Sequence, residues 1–191
     1  MTSPAPNLPV TPVEPNMHRL QRLSHFLALA CWVLILALPP LFAWFWAVAP
    51  PDQVAARINL PTDAVQGPLM LWQRVAGACI SGVPLALLLM GLWHARRCFG
   101  LFAGGQIFTL QAVIALRRFA CLATASFASS FLASALLSTL ITFNNRVGTR
   151  QLAIGVSTDQ VIALFFAGMV WLMAAVIAQG LHLAEENANF V

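Results

Sequence analysis

Four long apolar runs divide the chain, and each is long enough to cross a bilayer as a helix. The runs lie at about residues 24–48, 71–95, 119–143 and 158–180. A helix of roughly 20 residues, which rises about 1.5 Å per residue, spans a hydrocarbon layer about 30 Å thick. Lipid leaves backbone polar groups no other partners, so runs of this kind predict helices. We therefore predict an all-α protein, built as a transmembrane four-helix bundle.

The composition excludes an ordinary soluble domain. Hydrophobic residues make up 60% of the 191 residues and charged residues 8%, with a mean hydropathy of +0.81. In soluble domains about a quarter of the residues are charged. We expect one four-span membrane domain over residues 19–191. The sequence has no G-x-S-x-G or H-E-x-x-H motif and no glycine-rich phosphate loop, so we predict that the protein is not an enzyme.

The first 18 residues differ from the rest of the chain. They contain Pro4, Pro6, Pro9, Pro12 and Pro15, a density of proline that a helix interior does not tolerate. We predict that residues 1–18 are a disordered, proline-rich cytoplasmic tail. The tail lacks the basic start of a signal peptide, so we expect the first span to be retained.

The arginines predict the orientation of the bundle. Six of the ten flank the first span or lie in the central stretch: Arg19, Arg22, Arg96, Arg97, Arg117 and Arg118. Basic residues favour the cytoplasmic side, so both termini and the central loop are expected there. Trp44, Trp46 and Trp72 gather at the predicted outer interface. The arginines border the apolar runs and form no single patch, so we predict no direct binding of nucleic acid.

Prolines interrupt the first two spans. Pro39 and Pro40 lie in the first span and Pro84 in the second, where each removes a backbone donor and is expected to bend its helix. Both bends are predicted nearer the outer than the inner face. Bent helices can improve packing in a small bundle, or they can line an outward-facing cavity. Packing is the favoured interpretation.

The third span carries serines at a strict spacing of four residues. Residues four apart share one helix face, so this small and weakly polar stripe lets a neighbouring backbone approach closely. Helix packing is the favoured role, and a hydroxyl-lined pathway is the alternative. Thr109 is the predicted N-cap of the helix that continues into this span. The stripe consists of Ser126, Ser130, Ser134 and Ser138.

The outer loops contain two short alternating segments. Residues 150–156 and 56–60 alternate apolar residues with polar or small ones, the period of a β-strand. We predict a short two-strand pairing of these loops over the outer face.

Three histidines lie at one predicted level of the membrane. His25, His94 and His182 fall at the cytoplasmic ends of helices, with Cys98 and Cys121 at similar depth. Imidazoles and thiolates bind zinc or haem iron, which makes these histidines weak metal candidates. Ordinary interfacial histidines and apolar buried cysteines are the favoured interpretation, so we predict no metal and no cofactor.

Charges of opposite sign are predicted on the cytoplasmic side. The arginines at 96, 97, 117 and 118 are expected to face Glu185 and Glu186 near the carboxyl terminus. They form either a tether that holds the tail under the bundle or a docking surface for a cytoplasmic partner.

Two segments carry a resemblance to a known family. Gly105-Gln-Ile-Phe108-Thr109 precedes the arginine pair, and Gly180-x-x-Leu183-x-Glu185-Glu186 leads to the end of the chain. This combination resembles the bacterial four-span membrane proteins catalogued as domain of unknown function twenty-nine seventy-five. The resemblance implies an inner-membrane protein of four helices with no established activity. Its members often lie beside small helix-turn-helix regulators, which implies a membrane partner or sensor.

We therefore predict a non-enzymatic accessory, regulatory or sensor component of the bacterial inner membrane, with the lipid bilayer and a membrane or cytoplasmic protein as partners. The alternative is a small-molecule or lipid transporter, with an outward-facing cavity at the proline-bent helices. No Asp, Glu, Lys or Arg lies well inside a predicted span, which argues against an ion-coupled transporter.

Overall fold

The structure is a computed structural model that describes residues 14–58, 61, 68–106, 109–144 and 158–188. Within these ranges, the side chains of residues 14–18, 20, 144, 158–160 and 181–188 are outside the description. The described chain is helical apart from short connections, and no strand occurs in it. The helices are α1 (Glu14–Val48), α2 (Pro51–Arg57), α3 (Leu71–Ala103), α4 (Leu110–Ile141) and α5 (Thr158–Ala188), with a 3-10 turn at Thr142–Asn144.

Four of these helices are long and apolar enough to cross a membrane, which makes this a multi-pass membrane protein. The candidate spans are Gln21–Val48, Leu71–Ala103, Leu110–Ile141 and Val161–Gly180. The predicted all-α architecture of four apolar helices is confirmed. The second span extends past its predicted end to Ala103, so Arg96 and Arg97 lie on α3. Arg117 and Arg118 lie on α4, which begins directly after its predicted N-cap Thr109.

The helix α1 begins inside the segment predicted as a tail. It starts at Glu14, whereas the tail was predicted to end at residue 18. The helix can include Pro15 because this residue lies in the first turn, where a backbone N–H has no partner within the helix. Residues 1–13 lie outside the described residues.

The strand predicted at residues 56–60 is wrong in its first half, because Ala56 and Arg57 belong to α2. Pro51 occupies the start of α2 and Asp52 its first turn, both favourable at a helix N-terminus. This helix buries Val54 and Ala55, and its C-cap residue Ile58 is buried beside them. Residues 59–60 and 150–156 lie outside the described residues, so the strand pairing is not shown.

The long helices pack in chain order. α1 packs against α3, α3 against α4, and α4 against α5. The bundle surface is rich in large hydrophobic side chains such as Leu71 and Leu132, which meet lipid in a bilayer. Small buried residues, among them Ala95, Ala120 and Ala174, let the helices approach closely.

Two buried clusters lie at opposite ends of the α1, α3 and α4 assembly. The first, which we call the α2-end core, consists of Trp46, Ala49, Val54, Ala55, Ile58, Leu69, Leu137 and Ile141. The second, the turn-end core, lies beside the connection from α3 to α4 and consists of Cys98, Ala112 and Ala115. Gly105 has φ of 78° in this connection, a backbone conformation that favours glycine.

Candidate functional site

A cavity of about 470 Å³ opens between α1 and α4, with α3 as its floor and α2 across one end. We call it the lateral groove. Its volume lies in the range of roughly 300–1,000 Å³ typical of sites for small molecules. Its lining residues are Leu38, Leu41, Phe42, Phe45, Trp46, Val54, Arg57, Ile58, Ser81, Pro84, Leu85, Leu88, Ser126, Phe127, Ser130, Ala133, Ser134 and Leu137.

The position of the groove follows from the packing order of the helices. Because α1 and α4 both pack on α3, a space remains between them on one side of α3. Pro84 lines this space, and Leu38 and Leu41 line it on either side of the α1 proline pair. Pro39 and Pro40 themselves are exposed and do not line the groove. The proline-containing regions of α1 and α3 therefore border the cavity.

Hydroxyl groups on the groove wall are already engaged as donors. Ser126 donates to the Pro84 carbonyl at 2.7 Å, which joins α4 to α3. Ser130 and Ser134 donate to carbonyls of their own helix, those of Phe127 at 2.6 Å and Phe131 at 2.8 Å. The protons of these three hydroxyls are therefore already donated within the protein, on a wall that is otherwise largely apolar.

The four serines of the stripe therefore lie in two different environments. Ser126, Ser130 and Ser134 line the groove, whereas Ser138 is fully buried and donates to the Ala135 carbonyl at 2.8 Å. Packing of α4 against its neighbours and lining of a cavity, which the sequence offered as alternatives, both occur along one stripe.

A hydrogen-bonded cluster closes the α2 end of the groove. The indole Nε1 of Trp46 donates to Ser81 Oγ at 3.0 Å, and Ser81 Oγ donates to the Gly77 carbonyl at 2.6 Å. A Cβ at Gly77 would overlap the six-membered ring of Trp46, so glycine permits this contact. Arg74 Nη1 donates to the carbonyls of Trp46 and Ala47, each at 3.0 Å. These bonds fix α1 to α3.

Among the groove-lining residues that the structure describes, Arg57 is the one with a cationic side chain. Its guanidinium carbon lies 4.9 Å from the centroid of the Phe45 ring, and the side chain is exposed. A guanidinium over an aromatic face is a cation–π contact that leaves its N–H donors free for an anion. The groove therefore combines a long apolar wall with a positive charge at one end.

The four central arginines have different surroundings. Arg96 stacks on two indoles, with its guanidinium carbon 4.5 Å from the Trp32 ring and 5.4 Å from the Trp93 ring. Arg97 lies 5.9 Å from the Trp93 ring. Arg117 and Arg118 are exposed on α4. The side chains of residues 185 and 186 lie outside the described residues, so pairing of these arginines with Glu185 and Glu186 stays a prediction.

The predicted level of histidines and cysteines is only partly described. His25 is exposed on α1, His94 is half-buried on α3, and the side chain of His182 lies outside the described residues. Cys98 is fully buried in the turn-end core, whereas Cys121 is exposed. Among the side chains that the structure describes, no three His, Cys, Asp or Glu are grouped so as to hold a metal ion.

Trp46 and Gly77 were missed as site residues by sequence reasoning. The small residues Gly77 and Ser81, four apart on α3, were a signal of close helix approach, but they do not identify the partner side chain. Arg57 was missed because its segment was predicted to be a strand.

The four apolar helices and the lateral groove define the class: a multi-pass α-helical membrane protein with a cavity between its spans. Comparisons with models of protein families, with curated proteins and with solved structures give no match. The resemblance carried by residues 105–118 and 180–191 stays a prediction.

Proposed function

We propose that this protein is a non-enzymatic membrane protein that binds a lipid-like amphiphile in the lateral groove. The observation that carries this proposal is the cavity of about 470 Å³, whose wall is apolar over most of its length and which has Arg57 at one end. An apolar chain fits the wall formed by α1, α3 and α4. An anionic or strongly polar head group fits the guanidinium of Arg57.

Selectivity for such a ligand would come from shape and charge. An acyl chain that moves from lipid into the groove leaves one apolar environment for another, so hydrophobic transfer contributes little. Contact with the bent helices and a charge-assisted hydrogen bond to Arg57 are the terms that distinguish one amphiphile from another. The serine hydroxyls of the wall already donate their protons to backbone carbonyls, so they are not available as donors to a ligand.

The accessory or sensor role in the bacterial inner membrane, with both termini in the cytoplasm, is part of the proposal. In this topology the α2 end of the bundle is the outer end, and the groove takes its ligand from the outer leaflet. Occupation of the groove would change the fit of α1 against α4, and a protein partner could read that change.

Lipid or small-molecule transport is the second candidate, and the groove is the observation that favours it. Among the described residues that line the groove there is no acid, and their one cation, Arg57, lies on α2 and not on a span. Coupling to an ion usually needs a charged ligand near the middle of the membrane. Any transport by this protein is therefore expected to be uncoupled.

A groove-filling variant tests the binding proposal. Ser130→Phe places a ring in the groove, whereas Ala128→Phe adds the same ring on the exposed face of α4. The full chain is extracted gently and analysed by native mass spectrometry. We expect a bound amphiphile on the wild type and on the Ala128→Phe control, and loss of it from Ser130→Phe. Equal retention by all three proteins would refute binding in the groove.

A second measurement separates the two roles. Fluorescent lipid is exchanged between the leaflets of proteoliposomes that contain the wild type or Ser130→Phe. Flux that depends on the wild type and is lost in Ser130→Phe would favour transport. A bound lipid without flux, together with a stoichiometric protein partner after extraction, would favour the accessory role.

A further inference from the structure

A second cavity lies at the opposite end of the α3 and α4 pair, beside the connection between them. Its volume is about 460 Å³. We call it the basic cleft, and it shares no residue with the lateral groove. Its lining residues are His94, Arg97, Gly100 and Leu101 from α3 and Gln111, Ile114, Ala115 and Arg118 from α4.

Positive charge converges on this cleft from two helices. Arg97 of α3 and Arg118 of α4 both line it, and His94 and Gln111 add further nitrogen donors. Among the lining residues that the structure describes there is no acidic one; the side chains of Glu185 and Glu186 lie outside the described residues. An arrangement of two guanidinium groups around one cavity is suited to an anion with several oxygens, because each planar fork can donate two parallel hydrogen bonds.

The neighbouring arginines show that this convergence is selective. Arg96 precedes Arg97 in the chain, but its guanidinium is stacked on Trp32 and Trp93 and does not line the cleft. Arg117 precedes Arg118 and also lies outside the lining. Arg97 from the pair at 96–97 and Arg118 from the pair at 117–118 therefore line the basic cleft, and their neighbours do not.

The other walls of the cleft favour a lipid over a small soluble anion. Leu101, Ile114 and Ala115 form an apolar wall beside the charged groups. The cleft lies near the ends of two membrane helices, and Arg97 is next to the exposed indole of Trp93, a residue type enriched at membrane interfaces. Basic pockets at this depth between transmembrane helices bind acidic lipid head groups.

We propose that the basic cleft binds the phosphate of an anionic phospholipid from the leaflet at the turn end of the bundle. Arg97 and Arg118 hold the phosphate oxygens from opposite helices. Gln111 and His94 can donate to the remaining head-group oxygens, while the start of an acyl chain lies along Ile114 and Leu101. This site is separate from the lateral groove and does not depend on the function proposed for it.

The test uses the delipidated full chain in detergent, with native mass spectrometry during titration with phosphatidylglycerol or phosphatidylcholine. The variants are Arg97→Gln, Arg118→Gln and, as a matched control, Arg117→Gln. We expect one tight phosphatidylglycerol on the wild type, with affinity about tenfold weaker in Arg97→Gln and in Arg118→Gln. Arg117→Gln, which loses the same charge one residue away, should change the affinity less than about twofold.

Three results would overturn the proposal. Equal weakening by Arg117→Gln and Arg118→Gln would show diffuse attraction to the whole basic surface. Equal retention of phosphatidylcholine and phosphatidylglycerol would show that the head-group charge is not recognised. Displacement of the lipid by millimolar inorganic phosphate or glycerol phosphate would identify a soluble anion as the ligand. Phosphatidylglycerol binding that persists in Ser130→Phe would confirm that the cleft and the groove are separate sites.

Discussion

At the α2 end of the bundle, α1 is joined to α3 by directed hydrogen bonds, whereas at the turn end the same two helices are joined by a stacked arginine. Trp46 donates to Ser81, and Arg74 donates to two carbonyls of α1. At the other end the rings of Trp32 and Trp93 meet edge to face with their centroids 5.9 Å apart, and Arg96 packs over both rings. Both contacts bring one aromatic residue of α1 against α3.

The two ends also differ in what they bury. The α2-end core contains an indole and several branched side chains, while the turn-end core consists of a thiol and two alanines. Large side chains with fixed partners specify the distance and angle between helices, whereas small ones allow close approach and leave the rest to flexible arginines. We infer that the α2 end sets the geometry of the bundle, and that the turn end adapts to its surroundings.

The largest loss of stability is expected when the Trp46 contact at the α2 end is removed. Trp46 is 7% exposed, and Trp46→Ala removes a buried ring and the donor to Ser81. We expect a loss of about 3–5 kcal/mol in the free energy of unfolding, the usual cost of deleting a buried aromatic side chain. Denaturant titration in a fixed detergent, followed by circular dichroism, measures this loss.

Trp44→Ala is the control for this comparison. Trp44 lies two residues away and is 69% exposed, so its truncation removes surface that meets lipid or detergent. We expect a change within about 0.5 kcal/mol, as for surface substitutions in general. Equal destabilisation by the two variants would contradict the view that Trp46 fixes α1 on α3.

The next largest loss of stability is expected at Gly77, the α3 residue against which the Trp46 ring packs. Gly77→Ala adds a methyl group where the Trp46 ring lies, and we expect it to cost about 1–3 kcal/mol through overpacking. Gly82→Ala is the control, because a Cβ there has no neighbour within 4 Å. It should be neutral or stabilising by up to about 1 kcal/mol, since alanine favours a helix more than glycine does.

A double variant tests whether the cost of Gly77→Ala arises from contact with the Trp46 ring. In the Trp46→Ala background the added methyl group meets no indole, so Gly77→Ala should cost little. The same unfolding titration measures all four proteins. Additive losses in the double variant would show that the cost of the methyl group arises elsewhere.

Helix existence could be predicted here, and helix ends only in part. The apolar runs indicate four spans because lipid admits few alternatives. The end of the second span was placed where hydrophobicity falls, at residue 95, but α3 continues to Ala103. An α-helix does not have to end where hydrocarbon ends, and long arginine side chains reach the interface from the helix surface. Thr109, predicted as the N-cap of α4, accepts a hydrogen bond from the Ala112 N–H at 3.3 Å, which confirms that prediction.

The sequence indicated individual residues of the lateral groove but not the groove itself. Proline positions and the serine period indicated where α3 and α4 carry unusual residues, and Pro84, Ser126, Ser130 and Ser134 do line the groove. That they face a common cavity depends on the order of helix packing, which the sequence does not encode locally. Alternating residues at 56–60 favoured a strand, but burial of Val54 and Ala55 on α2 and of Ile58 at its C-cap prevailed. Trp46 is one of several interfacial tryptophans by sequence, and only packing distinguishes it from Trp44.

A smaller effect is expected at the turn end. Arg96→Gln removes the guanidinium from two indole faces while it keeps a polar side chain of moderate length. We expect a loss of about 1–2 kcal/mol, the size of a partly desolvated cation–π contact. The fluorescence of the tryptophans should change with it, because Trp32 and Trp93 lose their shared neighbour.

Arg117→Gln provides the matched control, since Arg117 is exposed on α4 and has no described ring contact. Unfolding titrations should place it within about 0.5 kcal/mol of the wild type. If Arg96→Gln is as stable as this control, the stacked arginine does not join α1 to α3, and the direct contact between the Trp32 and Trp93 rings joins them instead.

The smallest effect tests the start of α4. Thr109→Ala removes the side-chain acceptor for the Ala112 N–H, and the long 3.3 Å bond suggests a loss at the low end for helix caps, about 0.5–1 kcal/mol. Thr109→Ser keeps the acceptor and should retain most of the stability. Thr139→Ala is a second control, because Thr139 is exposed near the other end of α4 and its hydroxyl does not cap a helix. Hydrogen exchange localises the effect, because loss of the cap should speed exchange in the first turn of α4 and leave the α2 end unchanged. Faster exchange at both ends would show that the turn end also sets the geometry of the bundle, contrary to the division of roles inferred above.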